Sequence, residues 1–476
     1  MAERTTTRCR TCERLKEQLQ RLKAEGEQLR ARMAELEARL AAAGKNSSNS
    51  SKPPSSDITK PPKSPPADGD GKRKRGGQPG HPRHERPAFE PEQIDHTQQH
   101  TLDCCPDCGG SLEDSDAKPH VVQQAELVEK PIQITEHRAA AVWCPECQKV
   151  HHAPLPDEVL KAGLIGPRLT AFAAYLKGPC HVSFSAIGQL LRDVAGITVS
   201  RGQLAKLVQK VSASLAPSYE ELLAALPDEP RLNVDETGHK DQGKRLWTWC
   251  FRAPLYTLFR IAPSRGSDVL IDVLGREFNG LLGCDYFSAY RKYMKDFGVP
   301  LQFCLAHLIR DVKFLVEHPH ADNRAYGTLL LDHLRKLFGV IHRREQFASE
   351  DSYRRTLAAV RNALVADAIY RLPDTRLAGN LADRFVDHCD SYFRFITTPG
   401  VEPTNNLAEQ AIRFVAIHRR LTQGTRGPNG QRWCERIWTV VASCAQQGRS
   451  VFGFLHQTVL SHFRGQAAPS LLPDHP

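Results

Sequence analysis

Along residues 10–43 leucine recurs every seventh position, at Leu15, Leu22, Leu29 and Leu36, with Leu19, Met33 and Leu40 filling most of the alternate sites. That spacing predicts one long helix with a coiled-coil seam, weakened locally at Gly26. The same pattern fits an amphipathic helix packed on its own domain. Self-association is the reading taken, because the next segment offers nothing to pack on. Residues 44–87 are polar and broken by proline, from Asn46-Ser47-Ser48 through Lys72-Arg73-Lys74-Arg75 to Gly76-Gly77-Gln78-Pro79-Gly80-His81. Such a stretch cannot bury a core and reads as a disordered basic linker. Residues 88–158 carry short apolar runs, Ile132–Thr135 and Ala139–Trp143, that predict a small sheet. Residues 159–228 return to a helical period. Within them, Phe184–Val194 and Val199–Val208 are separated by a turn containing Gly196, and Ser200 caps the second helix. This is helix-turn-helix spacing, although a plain helical hairpin would look the same.

From 229 to 425 the pattern changes to strands. Leu232–Val234 runs into Asp235 and is expected to stop at Gly238. Leu246–Arg252 and Leu255–Ile261 read as an antiparallel meander. A helix from Asp268 to Leu274 leads to the strand Leu281–Tyr286; Leu301–Cys304 is a further strand, and Ala306–Val316 a helix. A helical insertion occupies about 320–395, and residues 426–476 form a C-terminal helical region. The predicted class is therefore multidomain α/β: a mixed sheet with an all-α insertion, preceded by a coiled-coil helix, a cysteine-rich unit and a helical domain.

Composition narrows the choices. A chain of 476 residues with 40% hydrophobic side chains can build several cores. The polar start at Met1 and the lack of any membrane-length apolar run argue for a cytoplasmic protein. The net charge of +10 is compatible with a nucleic-acid partner. In a reducing compartment the 14 cysteines are metal ligands or core residues. Cys105-Pro106-Asp107-Cys108 and Cys144-Pro145-Glu146-Cys147 are two knuckles spaced for a closed, four-thiolate structural Zn²⁺ site, a zinc ribbon. A redox pair is the alternative. Cys9 and Cys12 make a lone pair with no partner knuckle.

Three carboxylates stand out. Asp235 and Asp285 end strands, and Glu409 lies in Thr404-Asn405-Asn406-Leu407-Ala408-Glu409, a capped helix start in which Asn405 and Asn406 are the expected caps. Hard oxygen ligands of this kind suit a pair of Mg²⁺ ions, which can activate a nucleophile and stabilise a leaving oxygen at phosphorus. The order of strands and helices, with acids ending the first and fourth strands, has the pattern of a ribonuclease-H-like sheet. Glu236 is the rival to Asp235, but in a strand it faces the other way. Thr237 and His239 are expected to flank the metal site or to lie at the surface. His307 and Cys304 resemble a metal pair that lacks further ligands, and Arg310 shares a helix face with His307. Arg201, Gln203 and Lys206 would lie on a recognition helix. Arg413, Arg419, Arg420 and Arg426 form a basic face after the third acid, suited to the DNA backbone. Trp433 and Trp438 follow on the next helix.

Together these segments resemble a known family. The D-E-T-G at Asp235, the C-D-Y-x-x-A-Y at Cys284–Tyr290, the C-x-A-H-x-x-R at Cys304–Arg310 and the T-N-N-x-A-E at Thr404–Glu409 are similar to those of insertion-sequence transposases of family sixty-six. So are N-S-S-x-S-S-K-P-P-S-S-D and G-G-Q-P-G-H in the linker. Gln410 stands where arginine is common after the glutamate, with Arg413 one turn on, and Leu305 where tryptophan is common. The resemblance implies a ribonuclease-H-like DDE transposase with Asp235, Asp285 and Glu409 as the Mg²⁺ triad, Mn²⁺ being a substitute. Its substrate would be double-stranded DNA, both the terminal inverted repeats of a bacterial mobile element and the target. Water would free a 3′-hydroxyl at the element end, and that hydroxyl would attack target DNA. Homo-oligomerisation through the coiled coil, accessory proteins of the same element and nucleoid association while DNA-bound are the corresponding expectations. The rival readings are a structure-specific nuclease on the same fold and a non-catalytic DNA-binding derivative.

Overall fold

The computed structural model describes residues 10–43, 45, 87–113 and 116–473. Nearly all of the expected linker, with its basic tetrad, and Cys9 lie outside the described residues. Helix α1 (Arg10–Ala43) runs unbroken through Gly26, and its seam leucines are exposed, Leu15 at 60% and Leu40 at 68%. The cysteine-rich unit contains one hairpin, β1 (Ala141–Cys144) and β2 (Lys149–His152), paired from Ala141↔His152 to Cys144↔Lys149. Ile132–Thr135, expected as a strand, is not one. None of the described residues in 88–158 is buried, so no apolar core holds a second hairpin there.

The rest shares one contiguous core, from Ile165 to Leu471. Its first layer is helical: α2 (Asp157–Ala162), α3 (Pro167–Lys177), α4 (Phe184–Ala195), α5 (Arg201–Ser214) and α6 (Ala216–Ala225). Gly196 takes the left-handed conformation that ends α4. Ser200 caps α5 in a reciprocal box with Gln203: Ser200 Oγ accepts from Gln203 N (3.2 Å), and Gln203 Oε1 accepts from Ser200 N (2.9 Å).

The sheet follows: β3 (Arg231–Asp241), β4 (Lys244–Arg252), β5 (Thr257–Ala262), α7 (Ser267–Leu274), β6 (Leu281–Cys284), α8 (Ser288–Phe297), β7 (Leu301–Phe303) and α9 (Leu305–Val316). The strand order is β5-β4-β3-β6-β7, antiparallel from β5 to β3 and parallel from β3 to β7. β3 does not stop at Gly238 as expected. It runs on to Asp241 and turns back through Gln242 and Gly243, both at positive φ, so that Gly238 pairs with Trp247 inside the ladder. The insertion is α10 (Ala321–His342), α11 (Glu350–Tyr370) and α12 (Arg376–Phe393), followed by α13 (Asn406–Thr422), α14 (Pro428–Gln446) and α15 (Val451–Arg464).

Helix α14 solves the edge problem of β5. Its residues Ser443, Thr439 and Glu435, four apart, accept from the backbone N–H groups of Thr257 (3.1 Å), Phe259 (3.1 Å) and Ile261 (2.7 Å), two apart. The free edge of the sheet is thereby paired with side chains and closed to other strands. Trp433 and Trp438 are buried in this layer. α15 packs on α3, so the C-terminal region and the helical segment 159–228, expected as separate units, are packed together. Thr439→Val keeps the shape but strips the acceptor from a buried amide. It is expected to lower the unfolding free energy by about 1–3 kcal/mol, measured by urea unfolding; a change under about 0.5 kcal/mol would match an ordinary surface substitution and contradict the edge-pairing role.

Candidate active site

Parallel pairing sets the first two acids side by side. The β3–β6 register runs Arg231↔Leu281, Leu232↔Leu282 and Asn233↔Gly283. Asp235 and Asp285 each lie two residues beyond its last pair, at the same end of the sheet. Asp235 Oδ1 accepts from Glu236 N (2.9 Å), and Asp285 Oδ1 from Phe287 N (2.9 Å), which fixes one oxygen of each.

The third acid is brought in by Asn405. This residue occupies the N-cap position of α13, yet its side chain makes no cap bond. The capping role expected of it is replaced by a longer-range one. Asn405 Nδ2 donates to Val234 O (2.8 Å), Oδ1 accepts from Asn233 Nδ2 (2.9 Å), and its backbone N–H donates to Cys304 Sγ (3.1 Å). The start of α13 is thus bolted to β3 one residue before Asp235, and to the residue that opens α9. Glu409, in the first turn of α13, is carried to the site by that bolt. Gly283 makes room for it, since a Cβ there would lie 2.5 Å from Asn233 Nδ2.

The acids lie close enough for their charges to act on one another. The Asp235 carboxyl is pushed well above the usual carboxylate range, first by burial, then by the charges of Glu236, Asp285 and Glu409. Asp285 is also raised by burial, with His307, the Phe287 amide and Arg265 pulling the other way. Two buried atoms beside them have no partner, Glu409 Oε1 and His307 Nδ1, and they lie 3.6 Å apart. Mutually repelling buried carboxylates with an orphaned oxygen are a donor set that fits hard divalent cations.

His307 and Cys304 do not lack a further ligand, as had been expected. Glu409 supplies one, and one donor atom from each of the three lies within 4.8 Å of the others. Cys304 is nonetheless a structural member: its sulfur accepts from Asn405, and burial raises its thiol. Arg310 clasps the other side of Glu409, donating to His307 Nε2 (3.2 Å) and to Glu409 Oε2 (3.5 Å). Arginine has no acceptor, so His307 Nε2 is the bare nitrogen and the Nδ1 proton faces Glu409.

Glu236 faces away from this cluster, as alternation requires. Arg265 donates to its Oε1 (Nε 2.7 Å, Nη2 2.6 Å) and Tyr290 OH to its Oε2. Burial still raises Glu236 to about 7. His239 is neither at the metal site nor at the surface. It is buried against Trp438, hydrogen-bonded to Thr425 Oγ1 (3.0 Å), and its pKa is lowered to about 4 by burial and by Arg419. Thr237 is also buried, where its hydroxyl accepts from Arg419 (3.1 Å).

Of the basic residues, Arg413, Arg420 and Arg426 are exposed. Arg419 is half-buried and also donates to the Gly238 carbonyl, so it straps α13 to β3 instead of facing solvent. On α5, Arg201 and Lys206 are exposed, while Gln203 has its oxygen in the cap. Sequence reasoning missed Arg265; nothing in its flanking residues marks it as a neighbour of Asp285.

In the cysteine-rich unit, Cys144, Cys147 and His151 form a group whose donor atoms lie within 4.8 Å of one another; Cys147 Sγ and His151 Nε2 are 3.1 Å apart. Cys105 and Cys108 are not in that group. Their knuckle is closed by Cys105 N to Gly110 O (3.0 Å) and Gly109 N to Cys105 O (2.8 Å). The Cys105 and Cys144 thiols are both lowered, chiefly by backbone N–H groups of their own knuckles.

The arrangement on the sheet is that of a buried carboxylate site suited to divalent cations. Residues 162–432, more than half of the chain and inclusive of all three acids, match the family described as Transposase IS66 family. The chain belongs to that family, a family of DDE transposases and hence of phosphoryl-transfer enzymes. Residues 3–87 match a second family, DUF6444, of unknown function. The chain is 25% identical over 343 residues to the Sinorhizobium fredii protein y4jD, covering 66% of each. It is 25% identical over 366 residues to y4qI of the same organism (68% of this chain, 64% of that one) and 21% identical over 375 residues to y4hP (71% and 67%). The matches thus span just under two thirds of the length of y4jD and y4qI. Among the described residues no helix is long and apolar enough to cross a membrane.

The bolt is testable without any substrate. Asn405→Ala leaves the Val234 carbonyl and the Asn233 amide unpaired, and Gly283→Ala drives a methyl into Asn233. Each is expected to destabilise the chain by about 1–3 kcal/mol per group left unpaired in urea unfolding. Values within about 0.5 kcal/mol of the native chain would show that the contact holds nothing.

Proposed function

We propose that this chain is a DDE transposase that cleaves the DNA ends of a mobile element and transfers the freed strand to target DNA. The observation that carries the reading is the convergence of Asp235, Asp285 and Glu409, with Asp235 sensing the charge of both others. The β5-β4-β3-β6-β7 order, with the two aspartates just past the paired stretch of adjacent parallel strands, supports a ribonuclease-H-like core. Divalent ions held by these carboxylates, Mg²⁺ or Mn²⁺, would supply activation of the attacking oxygen and stabilisation of the leaving oxygen.

The chain's own residues do the rest. Asn405 fixes the position of Glu409 relative to β3. Arg310 holds Glu409 from behind and brings positive charge to the edge of the site, where it offsets a phosphodiester's charge. Glu236 is kept out of the donor set by Arg265 and Tyr290. Arg413, Arg420 and Arg426 lead away from the site as exposed backbone contacts, and Arg201 and Lys206 on α5 are further contacts to the duplex. Binding should weaken steeply with salt.

A structural Zn²⁺ is inferred for residues 88–158, none of whose described residues is buried to hold them otherwise. Cys144 and Cys147 are its anchors. The Cys105 thiol is lowered as Cys144 is, and Cys105 and Cys108 of the first knuckle complete a four-thiolate set; His151 is the alternative donor. The exposed seam of α1 supports a homo-oligomer, as pairing two element ends requires, in a bacterial cytoplasm with DNA as partner and other proteins of the element as accessories.

The test is strand cleavage and joining on a labelled duplex carrying the element's terminal repeat, with Mg²⁺, for the native chain and Asp235→Asn. Loss of outer-shell partners alone costs metal sites about 10–100-fold, so losing a ligand is expected to cost at least about a hundredfold while duplex binding persists. Equal activity in both proteins would refute the triad. Binding without cleavage in the native chain would leave a DNA-binding protein.

A further inference from the structure

Beside Asp285 the structure stacks cations and aromatic rings in alternation. The Arg265 guanidinium lies 3.8 Å from the ring centre of Phe287 and 4.7 Å from that of Trp247, and the Arg245 guanidinium lies 4.6 Å from the same Trp247 ring. The series Arg245–Trp247–Arg265–Phe287 joins three segments: β4, the loop before α7, and the turn after β6. It reaches the carboxylate site at one end. Phe287 donates its backbone N–H to Asp285, and Arg265 acts on Asp285 through its charge. Arg265 is fixed in the series by its ion pair with the buried Glu236. The other end opens outward, because Arg245 is exposed and Trp247 and Phe287 are only half-buried.

A core would use such rings against aliphatic side chains. Here Trp247 and Phe287 pack on the core with part of their surface and also show ring faces to guanidinium groups. We propose that this series is a stacking platform for unpaired bases of the DNA strand that enters the carboxylate site. Aromatic faces accept any base, and interleaved arginines neutralise the phosphates between them. Arg245 is the replaceable member: an exposed arginine holds an indole face more weakly than a stacked base does. A base that takes its place on Trp247 frees Arg245 for the adjacent phosphate. The platform selects single-stranded or frayed DNA at the point of cleavage, whereas the arginines of α13 and its flank contact duplex. The inference rests on the phosphoryl-transfer reading of Asp235, Asp285 and Glu409.

Tryptophan fluorescence tests it directly. The chain has Trp143, Trp247, Trp249, Trp433 and Trp438. Trp249, Trp433 and Trp438 are buried and Trp143 is exposed in the cysteine-rich unit, so in a Trp143→Phe background Trp247 is the indole open to a ligand. The probe is the oligonucleotide dT12, titrated with fluorescence quenching and, in parallel, with anisotropy of a labelled copy. Quenching is expected, with dT12 binding weakened about tenfold by Trp247→Leu, as loss of one stacked base implies. Trp247→Phe, which keeps the ring face, is expected to retain binding, and this separates loss of stacking from a folding defect. Binding of dT12 with no quenching, or with equal affinity for Trp247→Leu, overturns the platform. If the native chain at the same time cleaves the terminal-repeat duplex, the transposase reading stands without it. If neither dT12 nor duplex binds, both fall.

Discussion

Asn405 ties the start of α13 to two stretches that are remote in the chain: β3, 171 and 172 residues before it, and Cys304, 101 residues before it. It is buried at 1% exposure, and each of its polar groups there has a partner. A buried amide with every group satisfied is specific in a way that apolar packing is not, because a shift of about an ångström leaves donors and acceptors unpaired. The position of Glu409 depends on this residue. Without it, α13 would still bury Ala408, Ile412 and Val415, but only the Arg419 strap at its far end would tie it to β3, and nothing would fix the end that carries Glu409. The insertion of α10–α12 between the second and third acids is tolerable for the same reason. Loop length costs little once the ends are fixed, and Asn405 fixes the returning end.

Around that bolt the charges are arranged at cost. Burial raises both Asp235 and Asp285, and the charges of Glu236, on the opposite face, and of Asp285 raise Asp235 further. The fold meets this by giving each carboxylate a different kind of partner. Glu236 receives a cation and a phenol. Asp235 and Asp285 receive one backbone amide each. Glu409 receives Arg310 at one oxygen, while the other has no hydrogen bond and only His307 Nδ1 3.6 Å away. What remains uncompensated is concentrated in one place, where a divalent ion would relieve all three. The same economy appears at the sheet edge, where α14 spends Glu435, Thr439 and Ser443 on β5 amides, and at Arg419, whose charge goes to a strand carbonyl.

The strands and the helix order were legible because they follow from local pattern: short apolar runs that lead to Asp235 and Asp285, and a polar turn before Glu409. The boundary between α4 and α5 was legible for the same reason, with Gly196 and Ser200 as its punctuation. Legibility failed where long-range pairing decides. Gly238 reads as a strand end, but β4 pairs straight through it. Asn405 reads as a helix cap, but Asn233 and Val234 claim its side chain. Arg419 and Arg426 look alike in the chain, yet one is an internal strap and the other is exposed. Trp433 and Trp438 gave no sign of which side of α14 is buried. Ile132–Thr135 has strand composition and no partner to pair with. Arg265 was invisible, because its significance comes from Glu236, Trp247 and Phe287, none of which is its neighbour in sequence.

The central claim is that Asp235, Asp285 and Glu409 form one cation site, and the most direct measurement is anomalous diffraction from crystals of the full chain soaked in Mn²⁺. Anomalous peaks enclosed by these three carboxylates, and absent from Glu236, are the expected result. A fully substituted crystal with no peak among them, or with Mn²⁺ drawn instead to Glu236, would contradict it.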